Sequence, residues 1–69
     1  MADIQVSKVE QQPNGRSVFS VRVQTRAGRM EFPIAIQDEG TVGKNEIAVL
    51  RGALGFAEEL AASIRQRLA

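Results

Sequence analysis

From Ile47 onward the apolar residues Leu50, Leu54, Ala57, Ala61, Ile64 and Leu68 recur at alternating steps of three and four. That spacing predicts one long amphipathic helix reaching almost to the last residue. Upstream the period changes to two. Phe19, Val21 and Val23 alternate with Val18, Ser20, Arg22 and Gln24, and Met30, Phe32, Ile34 and Ile36 alternate with Glu31, Pro33, Ala35 and Gln37. Each run predicts a strand with one buried face. Ile4 and Val6 begin a first strand in the same manner, but Val9 falls out of phase with them.

The breaks between these runs specify turns. Pro13-Asn14-Gly15 suits a type I turn with glycine in the left-handed region, closing a bulged hairpin. That register sets Val9 opposite Phe19 on the buried face, with a β-bulge near Ser7-Lys8 returning Ile4 and Val6 to the same face. In the other reading Val9 sits on the outer face. A second reversal around Ala27-Gly28 pairs Val23 with Phe32, Val21 with Ile34 and Phe19 with Ile36. Pro33 has no N–H to donate, so the third strand must be an edge with the proline nitrogen turned outward. A four-residue loop, Arg26 to Arg29, achieves this. The expected architecture is α+β: a three-stranded antiparallel meander in the order 1-2-3, followed by one C-terminal helix on a single sheet face (β-β-β-α).

The polar, glycine-bearing stretch Asp38 to Lys44 forms the connection, with Asn45 as the helix N-cap. Glu46 then suits the positive end of the helix dipole, and Arg65 and Arg67 the negative end. A helix from Asn45 to Leu68 is roughly 36 Å long, whereas eight paired strand residues cover about 27 Å. The helix is therefore expected to overhang its sheet.

At 69 residues the chain holds a single small α+β domain, residues 1–69, with a core of marginal stability on its own. Cys, His, Tyr and Trp are all absent. These absences remove disulfides, thiolate metal sites, the commonest general base and most base-stacking platforms, so no catalytic activity, cofactor or metal is expected. Asp38-Glu39 lacks the spaced ligands of a calcium loop. Glu58 and Glu59 are adjacent on the helix and point about 100° apart, so they cannot form a paired-carboxylate site. The start, Met-Ala-Asp-Ile-Gln-Val, carries neither the basic nor the apolar part of a secretion signal, and no run reaches membrane-spanning length. A cytoplasmic protein that does not enter membranes is expected.

Two functional readings remain. A helical wheel places Val49 and Phe56 at the margin of the main stripe and Gly52 and Gly55 on the far side with Ala48 and Ala62. The apolar arc is then wider than three strands can cover, and the first strand is an uncovered edge. Both features, with the marginal core, point to a self-associating interaction module, a homodimer joined by strand pairing, helix packing or exchange of the helix between protomers. Its contact residues are Ile4, Val6, Val9, Val49 and Phe56. The alternative is nucleic-acid binding through phosphate contacts from Arg22, Arg26, Arg29, Arg65 and Arg67. Against it stands a formal net charge of only +1.

Overall fold

The computed structural model describes residues 2–69. It contains strands β1 (Asp3–Gln11), β2 (Arg16–Thr25) and β3 (Gly28–Gln37) and helix α1 (Val42–Leu68). The strands form one antiparallel sheet in the order β1-β2-β3, and α1 packs chiefly against β3. This is the expected β-β-β-α arrangement.

The β1–β2 turn has the expected chemistry. Gly15 N–H donates to the Gln12 carbonyl at 3.3 Å, closing a turn around Pro13 and Asn14. Gly15 itself has φ +84°, a region other residues avoid. Asn14 Oδ1 accepts from the Arg16 N–H at 3.1 Å. Beyond the turn the register differs from expectation at one residue. Lys8, not Val9, stands opposite Phe19, and the irregularity falls between Lys8 and Glu10, which makes Val9 the extra residue. Val9 is exposed. A bulge is therefore needed to keep Ile4 and Val6 on the inner face, but it absorbs Val9 instead of burying it.

The β2–β3 reversal is tighter than expected. Thr25 pairs with Gly28, leaving only Arg26 and Ala27 in the turn, where the Thr25 hydroxyl accepts from the Ala27 N–H at 3.1 Å. The pairs are accordingly Val23 with Met30, Val21 with Phe32, Phe19 with Ile34 and Ser17 with Ile36. A shift of two leaves every side chain on its expected face, because faces repeat every second residue. Pro33 lies opposite Ser20, an odd number of steps from the pair that closes the two-residue turn. It therefore occupies a non-hydrogen-bonded position with its nitrogen outward. The proline requirement is met on edge strand β3 without the four-residue loop.

The helix departs from expectation at its start and in its rotation. It begins at Val42, with Thr41 as N-cap accepting from the Lys44 N–H at 3.2 Å. Asn45 is not the cap: it is buried within the first turns. The face turned to the sheet comprises Asn45, Ala48, Val49, Gly52 and Phe56. Val49 is fully buried with Phe19, Val21 and Ile36, and Ala48 packs against that cluster. Gly52 lies over Ile34, and the Phe56 ring stacks on Phe32 with centroids 5.2 Å apart. Gly52 is thus on the sheet side and not the far side. Val49, at the margin of the main stripe, is at the centre of the core.

Candidate functional site: the outward face of the helix

At 100° per residue, the ladder Ile47, Leu50, Leu54, Ala57, Ala61, Ile64, Leu68 is centred roughly 150° around α1 from the face that meets the sheet. The main apolar stripe of the sequence therefore does not build this core. Ile47, Leu54 and Ile64 are 53%, 61% and 46% exposed, and Leu68 is 81% exposed. Every residue from position 62 to 69 is exposed. The helix is long, about 40 Å at 1.5 Å per residue, and its last turns carry the exposed apolar groups of Ile64 and Leu68.

A polar anchor explains why the less apolar face turns inward. The Asn45 amide oxygen accepts from the Glu39 N–H at 2.7 Å, and its amide nitrogen donates to Asp38 Oδ1 at 3.4 Å. The Ser17 hydroxyl, with no solvent exposure, lies 3.1 Å from Asp38 Oδ2 and 3.0 Å from Gln11 Oε1. Lys8 Nζ donates to Gln11 Oε1 at 2.8 Å and approaches Asp38 Oδ2 at 4.0 Å. The Asp38 N–H in turn donates to the Gly15 carbonyl at 3.2 Å. This chain of bonds fastens the connection and the first turn of α1 to the β1–β2 end of the sheet. With Asn45 held inward, Val49, Gly52 and Phe56 follow on the same face, and the small Ala48 and Gly52 let the helix lie close to β3.

The network holds an aspartate, a serine and a lysine, each bonded within it. Ser17 is sealed from solvent, and every buried side-chain polar atom among the described residues has a partner. The Asp38 carboxyl is held below the ordinary carboxylate value, first by the Gly40 N–H, then by Asn45 and Ser17, all of which bond its charged form. That makes Asp38 a fixed acceptor. No group of three or more His, Cys, Asp or Glu side chains suited to a metal occurs among the described residues.

The residues anticipated as contacts fall in separate places. Ile4 is exposed on the inner face of edge strand β1, and Val6 is half-buried against the core. Val9 is exposed in the bulge and Val49 is enclosed, while Phe56 stacks on Phe32 and is still half exposed. The exposed ladder residues are legible in the sequence as the main apolar stripe, but the stripe alone does not say which way it faces. The partners of Lys8, Gln11, Ser17 and Asn45 follow no periodic spacing, from three residues between Lys8 and Gln11 to 21 between Ser17 and Asp38, so the residue pattern does not signal them.

The anticipated arginine pole is mixed in charge. Arg22 pairs with Glu31 at 3.2 Å on the outer face of the sheet. Around them lies a shallow hollow of about 370 Å³ lined by Asp3, Gln5, Gln24 and Arg29 as well, so its acids and arginines balance. Arg26 occupies the β2–β3 turn. The successive contacts of Gly52 with Ile34 and Phe56 with Phe32 show that α1 runs antiparallel to β3, which carries Arg65 and Arg67 toward the Arg26 pole. No protein-family model, curated protein or solved structure matches the chain. No helix among the described residues is long and apolar enough to cross a membrane.

Proposed function

We propose that this chain is a non-catalytic, self-associating interaction module of the cytosol that works as a homodimer through the outward face of α1. The observation carrying this reading is the seven-residue ladder from Ile47 to Leu68, apolar at every rung and largely exposed. The core supports it from the other side. Only Phe19, Val21, Ile36 and Val49 form the buried apolar cluster among the described residues, less than a lone domain of this size ordinarily needs. A second copy meeting the ladder supplies the missing burial.

Sedimentation or light scattering across a dilution series tests the reading. The expected result is a dimer that dissociates on dilution, and a Leu54→Glu variant that is folded but monomeric at concentrations where the parent is dimeric. A parent chain that is monomeric at every concentration overturns it. A monomer that gains mass on a mixed-sequence DNA duplex at low salt transfers the function to the arginines, including Arg26 and Arg29.

A further inference from the structure

We infer that the two copies of α1 lie antiparallel, in the register that places Ile47 against the partner's Ile64 and Leu54 against the partner's Ala57. This deepens the homodimer proposed above and rests on it. The ladder has the heptad spacing of a two-helix seam, with Ile47, Leu54, Ala61 and Leu68 at one core position and Leu50, Ala57 and Ile64 at the other. Antiparallel pairing sets each residue of the first kind against one of the second. In the stated register Ile47 meets the partner's Ile64, Leu50 the partner's Ala61, and Leu54 the partner's Ala57. The symmetry axis repeats all three pairs, so each leucine of these pairs faces an alanine.

The flanking positions agree with the same register. Arg51 comes beside the partner's Glu58, and Glu46 beside the partner's Arg67, each twice by symmetry. Ala53 flanks the partner's Leu60, another small residue against a large one. One pairing is unfavourable: Lys44 falls beside the partner's Arg65. Both are exposed at the ends of the seam, where solvent screens them. Parallel in-register pairing serves the sequence less well. It stacks Ala57 on Ala57 and Ala61 on Ala61, leaving two successive layers without a large side chain, and of the four ion pairs it replaces it offers only Glu46 with Arg51.

The antiparallel register also accounts for the overhang. The sheet backs the part of α1 from Asn45 to Phe56, and every residue beyond position 61 is exposed. Antiparallel pairing lays those turns over the partner's Ile47 and Leu50, on the side of that helix away from its sheet. Each overhang thus covers the apolar face that the other protomer leaves open.

The absence of native cysteine makes the register directly testable. Ile47→Cys and Ile64→Cys each change an exposed side chain and leave the core intact. Positions 47 and 64 are about 26 Å apart along one helix, whereas a disulfide needs Cα atoms within about 7 Å. Each variant is oxidised alone, and the two are oxidised together after exchange of subunits. Antiparallel pairing gives a covalent dimer only in the mixture, containing one chain of each variant. Covalent dimers in each variant alone establish parallel pairing and overturn the register while leaving the homodimer standing. A dimer by mass with no cross-link in any sample overturns the register as well. A chain monomeric by mass overturns the homodimer itself.

Discussion

Asn45 decides the rotation of the helix. It bridges the Glu39 N–H and the Asp38 carboxylate from a position only 8% exposed. Replacing it with Ala leaves a part-buried N–H without its acceptor, and the expected loss is about 1–3 kcal/mol of stability by urea unfolding. Thr41→Ala, which removes only the N-cap bond, is expected to cost about 1 kcal/mol. Asp38 adds a pH dependence to the same network. Its folded pKa lies below the unfolded value, so its contribution is present at neutral pH and is lost as pH falls through the folded pKa. Unfolding measured from neutral pH into the acid range should show stability falling below the ordinary carboxylate value. Asp38→Asn should remove that part of the decline. A parent and variant with the same acid profile would dismiss Asp38 as its source.

Helix α1 is apolar on two sides, and only one of them meets the sheet. Val49 belongs to the inner side and is fully buried, so Val49→Ala should cost about 2 kcal/mol in transfer and cavity terms at any protein concentration. Gly55 meets no atom where a Cβ would stand. Gly55→Ala should therefore stabilise the fold by about 1 kcal/mol, the helix-propensity difference, without changing association. The periodicity in the sequence located the helix and the overhang correctly. It misassigned the faces because an apolar count weights leucine and isoleucine above alanine and glycine. Close approach to β3 favours the small residues, and a buried amide selects the side.

The molecule as a whole is elongated, 42 Å in its longest dimension by 22 and 17 Å. It combines a short sheet with a helix that outruns it. The inner face of the sheet is covered incompletely: Ile4 and Met30 are each about half exposed at the β2–β3 end. If the ladder is the dimer seam, folding and association are linked, and the thermal midpoint should rise with protein concentration. A calorimetric series over a hundredfold concentration range checks this. The Leu54→Glu variant should show a concentration-independent and lower midpoint.

The amino-acid pattern by itself determined the element order, the strand faces, the glycine turn at Gly15 and the edge position of β3. Each of these follows from a local rule: side-chain alternation, turn stereochemistry, or the missing proline N–H. Tertiary structure decided the bulge at Val9, the two-residue turn at Arg26-Ala27, the cap at Thr41 and the rotation of α1. These depend on which polar groups find partners once the elements pack together. Lys8 reaches Gln11 and Asp38, Ser17 reaches Asp38, and Asn45 reaches back to Glu39. Some of these partners are near in the chain and others far, so hydrogen-bond satisfaction leaves no periodic trace in the sequence, yet it turned the most apolar stripe of the protein outward.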